Sequence, residues 1–135
     1  VFQLLIYPAT DMTASFPSHV ENAAGPVLTT QAMQWFTNHY MPAGADLKDP
    51  LASPHFAPDS LLKGAPPALI ITAELDPLRD EGEEYGRRLI ANGVTASVVR
   101  YNGMFHSFFQ MHQLLDDANT AHTMAAFFTA RALSA

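Results

Sequence analysis

Residues Phe2 to Tyr7 are apolar nearly throughout and stop at Pro8. A continuous apolar run of that length predicts a strand buried on both faces, as in a parallel sheet. Such a strand needs neighbours, so sheet beyond this opening segment is expected. Ala9 to Gly25 is loop-like, punctuated by Asp11, Thr13, Ser15, Pro17 and Ser18. Leu28, Ala32, Met33, Phe36 and Tyr40 recur at three- and four-residue steps and predict a helix over Leu28–Tyr40, capped by Thr29 or Thr30. Six of the ten prolines then fall between Met41 and Pro67, which rules out long regular elements there and predicts ordered loop with short turns. Ala-Leu-Ile-Ile-Thr-Ala at Ala68–Ala73 is the clearest buried strand.

A helix is predicted over Asp80–Asn92, with Asp80 and Glu83 as a carboxylate capping box, arginines near its last turn and Asn92-Gly93 as its stop. Thr95–Tyr101, rich in β-branched residues, is a third strand closed by an Asn102-Gly103 turn, and a last helix runs from about Asp117 to Leu133 with Ala121, Ala125, Phe128 and Ala132 on one face. Strands alternating with helices predict an α/β architecture, a mainly parallel sheet with right-handed crossovers and flanking helices. Three such strands are half of a doubly wound fold.

Composition narrows the function. Seven Lys+Arg against 13 Asp+Glu give a net charge of −6, which argues against nucleic acid or an anionic membrane surface as the main partner. Zero cysteines remove disulfides, thiolate metal sites and cysteine nucleophiles together. His19, His39, His55, His112 and His122 show no metal-ligand spacing, so neither a metal nor another cofactor is expected. No apolar run approaches the roughly 20 residues of a membrane span.

In open α/β sheets reactive side chains gather beyond the C-terminal ends of the strands. Two such loops are chemically equipped here, Glu74 to Glu83 and Asn102 to Phe108. Asp76 in the first and His106 in the second are separated by one helix and one strand. Parallel neighbours lie about 4.8 Å apart, so both loops leave the same sheet edge. Asp76 can then accept a hydrogen bond from His106 Nδ1–H, fixing the tautomer and stabilising the imidazolium formed when Nε2 takes a proton. Other roles remain open for each residue. Asp76-Pro77 also suits a helix N-cap with proline at the first helical position. His106 is one of six histidines; Asp80, Glu81, Glu83 and Glu84 read most simply as a solvated helix start, and Trp35 and Phe36 as core.

Tyr7-Pro8, Asp49-Pro50, Ser53-Pro54 and Pro66-Pro67-Ala68 follow one another in the order of a known family. So do Ala73-Glu74-Leu75-Asp76-Pro77-Leu78-Arg79-Asp80-Glu81-Gly82, Tyr85, Arg100-Tyr101 and Gly103-Met104-Phe105-His106-Ser107-Phe108. Together they resemble the C-terminal part of a bacterial hormone-sensitive-lipase-like esterase, the family IV branch of the α/β-hydrolases. The resemblance implies a single unit over residues 1–135, with about 9–60 partly cap and 68–135 the last strands and helices. It makes Asp76 the triad acid, His106 the general base, and Arg79, Asp80 and Glu81 a charge network steadying the acid's loop. It implies a serine esterase for short- to medium-chain acyl esters, and a possible homodimer through the Thr95–Tyr101 edge and the last helix. Ser107 stands where the family usually has glycine; little effect is expected from so small a side chain.

The nucleophile is not in this stretch. In this fold the triad order is Ser, Asp, His, with the serine in Gly-x-Ser-x-Gly, and no such pentapeptide occurs among the 135 residues, nor an oxyanion loop of the His-Gly-Gly-Gly type. The chain is therefore expected to be a C-terminal fragment, inactive alone, whose upstream N-terminal part supplies both. The alternative is a non-catalytic α/β module that binds a ligand or partner; the residues encoded before Val1 discriminate the two. A flavodoxin-like domain is weaker, because Pro8-Ala9-Thr10-Asp11 offers no phosphate-cradling glycines after the first strand.

Overall fold

The computed structural model describes residues 2–134. Its elements run β1 (Gln3–Ile6), α1 (Ser18–Glu21), α2 (Thr30–Tyr40), α3 (Asp59–Leu62), β2 (Ala68–Leu75), α4 (Arg79–Ala91), β3 (Ala96–Phe105) and α5 (Asp116–Leu133), with short 3₁₀ turns at Pro54–Phe56 and Phe108–Gln110. The strands form one parallel sheet in the order β1-β2-β3.

The central strand divides the core by its two-residue period. Ala68 and Ile70 face one side, where they pack with Tyr85 and Leu89 of α4, Leu62 and Val94. Leu69, Ile71 and Ala73 face the other, against Phe108 and the Ala118 and Ala121 positions of α5. Leu69, Ile70 and Ile71 are fully buried, as expected of a strand covered on both faces. The small residues along α5 let that helix lie close to the sheet.

Several expectations are corrected. β1 is half-buried rather than buried, with Leu4 39% exposed, because among the described residues only β2 pairs with it and it lies at the sheet's edge. Trp35 and Phe36 are not core: they are 57% and 55% exposed, since α2 buries none of its residues. Its apolar stripe was legible, but among the described residues nothing covers it. Asp80 and Glu83 form no capping box. Ser18 caps the start of α4 from outside the helix, its Oγ accepting from Asp80 N–H at 3.2 Å and donating to Pro77 O at 2.6 Å. The Asn102-Gly103 pair does not end β3. The strand continues to Phe105 across a bulge in which Gly103 adopts φ +75° and donates its N–H to Glu74 Oε2 at 2.6 Å. Bulges of this kind re-aim the residues that follow them.

Candidate active site

The bulge delivers His106 to the C-terminal edge of the sheet, beside the turn that follows β2. His106 Nδ1 lies 2.8 Å from Asp76 Oδ2. The Asp76 side chain is fully buried, whereas that of His106 is 19% exposed. Asp76 is held from two further sides: Oδ1 accepts the Leu78 N–H at 2.9 Å, and its carbonyl accepts from Asn22 Nδ2 at 3.1 Å. The carboxylate thus divides its contacts between separate oxygens, Oδ1 stabilising the turn and Oδ2 holding the imidazole. Asp76 is not the N-cap, since α4 begins only at Arg79.

Around the acid's turn Arg79, Asp80 and Glu21 form one connected set, and Glu81 belongs to a separate one. Arg79 contacts Asp80 Oδ1 at 2.8 Å, Glu21 Oε2 at 2.6 Å and the Glu74 carbonyl at 3.1 Å. Burial alone would raise the Asp80 pKa; the hydrogen bond and charge of Arg79, with the Ser18 amide, outweigh it and leave the carboxyl below its ordinary value. Glu81 is fully buried, not solvated. Its Oε1 accepts from the Thr10 and Asp11 amides, and its Oε2 lies 2.6 Å from His19 Nε2. Carboxylates this deep need several donors, and the 9–22 segment supplies them.

His106 also lines a cavity of about 580 Å³, whose other walls include Met12, Leu28, Met33, Phe36 and Leu78. The walls are almost entirely apolar, and the volume falls in the range of small-molecule sites. Sequence reasoning missed the cavity's helical wall, because periodicity reveals an apolar face without revealing what it borders. Ser107 has φ +72°, left-handed backbone that a side chain disfavours, so the glycine usual at this position has a conformational reason and the substitution is not neutral. Among the described residues no group of three or more His, Asp or Glu is arranged to hold a metal ion, and no helix is long and apolar enough to cross a membrane.

A family model described as the alpha/beta hydrolase fold matches residues 1–110. The chain belongs to the alpha/beta hydrolase fold family. This alpha/beta hydrolase chain is 34% identical over 122 residues to an ethyl acetate hydrolase of Pseudomonas putida, an alignment covering 90% of the chain and 38% of that relative. It is 43% identical over 110 residues to carboxylesterase NlhH of Mycobacterium tuberculosis, covering 80% of the chain and 34% of the relative. Among solved structures, a hyperthermophilic esterase from the archaeon Pyrobaculum calidifontis superposes with a TM-score of 0.87 at 44% identity, over 97% of this chain and 43% of that one. An ester hydrolase from the metagenome of Lake Arreo, complexed with a bipyridine phosphonate derivative, gives 0.91 at 40% identity, over 99% and 42%. The chain thus spans well under half the length of these relatives. These similarities agree with the resemblance to the hormone-sensitive-lipase-like branch.

Proposed function

We propose that the protein is a carboxylic ester hydrolase in which Asp76 and His106 are the acid and the general base of a Ser-Asp-His triad. The observation that carries this reading is the 2.8 Å contact between buried Asp76 Oδ2 and His106 Nδ1, made at the rim of an apolar cavity. An aspartate on Nδ1 keeps that proton in place and leaves Nε2 as the basic nitrogen. Among the described residues Nε2 has no hydrogen-bond partner. It would take the proton of a serine hydroxyl as that oxygen attacks the ester carbonyl, then return it to the departing alcohol. A second cycle, with water as nucleophile, would release the acid.

The serine and the oxyanion amides are assigned to a part of the same protein outside these 135 residues; the partial coverage of the esterase relatives supports this. The apolar walls suit short- to medium-chain acyl groups. Among the described residues β3 is unpaired on the side away from β2, which supports a homodimer, and sedimentation of the purified protein decides it. The test of the reaction is hydrolysis of a p-nitrophenyl acetate-to-decanoate series by the full-length protein, wild type against Asp76→Asn and His106→Ala. Losing the aspartate costs about 10⁴-fold in kcat where it fixes a triad tautomer, and a loss of at least about 10²-fold is expected here. Turnover within a few-fold of wild type in either variant refutes the assignment and favours a non-catalytic binding module.

A further inference from the structure

Tyr7 follows β1 directly, and its amide donates to Ile71 O at 2.6 Å, one step beyond the paired strand. At that point the backbone turns to φ +37°, a conformation that side-chain-bearing residues rarely hold without an external constraint. The next residue supplies one constraint. Pro8 packs so close to Gly82 of α4 that a Cβ there would lie 3.4 Å from both Pro8 Cγ and Pro8 Cδ. The phenol ring comes to rest against His106, with centroids 4.5 Å apart and planes inclined by 53°, and meets the fully buried Phe108 edge-on at 6.3 Å. Tyr7 is not among the walls of the apolar cavity, whereas His106 is. The aromatic contact therefore reaches the imidazole from outside the substrate space.

The single hydrogen bond to Asp76 leaves the ring of His106 free to rock about the axis of that bond, and a ring in van der Waals contact removes this freedom. We propose that Tyr7 is a positioning residue for His106, its phenol ring bracing the imidazole from behind so that Nε2 stays aimed into the cavity. The inference rests on His106 being the general base. The strained turn at Tyr7 then has a function, because only a departure from the strand direction lays the ring on the imidazole. Burial, then the nearby Asp76 charge, raise the phenol's pKa against the opposing Gln110 side chain, so Tyr7 remains neutral through the pH range of ester hydrolysis. An uncharged ring within about 6 Å is also suited to the positive charge that His106 acquires during proton transfer.

The experiment is steady-state hydrolysis of p-nitrophenyl butyrate by the full-length protein, comparing Tyr7→Phe, Tyr7→Leu and Tyr7→Asn in wild-type and His106→Ala backgrounds. Asparagine tolerates positive φ and lacks the ring, so it separates the bracing contact from the backbone conformation. Tyr7→Leu and Tyr7→Asn are expected to lower kcat about tenfold with KM within about twofold, the split that marks loss of transition-state alignment rather than substrate binding. Tyr7→Phe keeps the ring and is expected within about twofold of wild type. In the His106→Ala background the Tyr7 substitutions should change the residual rate no further. The proposal is overturned if Tyr7→Asn, folded by circular dichroism, keeps wild-type kcat, or if its loss appears in KM alone. Wild-type turnover in the His106→Ala control would instead bring down the underlying esterase reading.

Discussion

Glu81 offers the sharpest test of how the site is held. Its carboxylate is fully buried and meets three donors from the 9–22 segment: the amides of Thr10 and Asp11 on Oε1, and His19 Nε2 on Oε2. Because Glu81 accepts, His19 donates through Nε2, and its Nδ1 is buried without a partner among the described residues. Replacing Glu81 with Gln preserves shape but changes this accounting. Each amide bond falls from a charge-assisted to a neutral one, a loss of about 1 kcal/mol apiece. The new Nε2H₂ group faces His19 Nε2, which must become the acceptor and move its proton to Nδ1. A buried N–H without an acceptor costs about 1–3 kcal/mol. The sum is about 3–5 kcal/mol, a large part of the 5–15 kcal/mol typical of a folded protein. Urea unfolding followed by circular dichroism, with an unchanged m-value, measures it. Glu84→Gln is the control: its partner Arg87 is mostly exposed, so the change should stay within about 0.5 kcal/mol. A Glu81→Gln protein within about 1 kcal/mol of wild type would show that these three bonds do not hold the segment to α4.

Ser107→Gly removes a side chain from φ +72°; relief of about 1–2 kcal/mol of left-handed strain, less the added freedom of the unfolded chain, should stabilise the protein by about 0.5–1 kcal/mol in the same unfolding assay. Gly86→Ala should do the opposite, because a Cβ there would overlap Val98 Cγ2 and sit 2.8 Å from Ile70 Cδ1. Overpacking at stiff β-branched neighbours costs about 1–3 kcal/mol and outweighs the roughly 1 kcal/mol gain in helix propensity, so a raised melting temperature would contradict the close approach of α4 to the sheet. Asp80 has a folded pKa below its unfolded value of about 3.9. Its contribution is therefore complete above that value and is lost as pH falls through the folded pKa. Melting temperature against pH from 3 to 7 should drop less steeply at the acid end for Asp80→Asn than for wild type, and parallel curves would contradict the Arg79 pairing.

The parts of this molecule that sequence reasoning reached are those governed by local period and chain order. Ala68–Ala73 could only be a doubly covered strand, and an acid and a histidine one helix and one strand apart had to emerge on the same sheet edge once the strands were parallel. Asp76 and His106 met for that reason. Glu81 was misread because the rule that places acids at a helix start concerns its own neighbours, whereas its donors come from Thr10, Asp11 and His19, some 62–71 residues earlier. No local pattern reports a partner at that distance. Trp35 and Phe36 were misread for the complementary reason: helical spacing establishes that a face is apolar, and burial then depends on what else reaches that face. Tyr7 and Ser107 carry their information in backbone angles, and sequence offered only indirect signs, a proline after one and a missing glycine at the other. At both positions the strained residue touches or adjoins His106, so what the sequence concealed is largely the backbone geometry around an imidazole whose place beside Asp76 it did disclose.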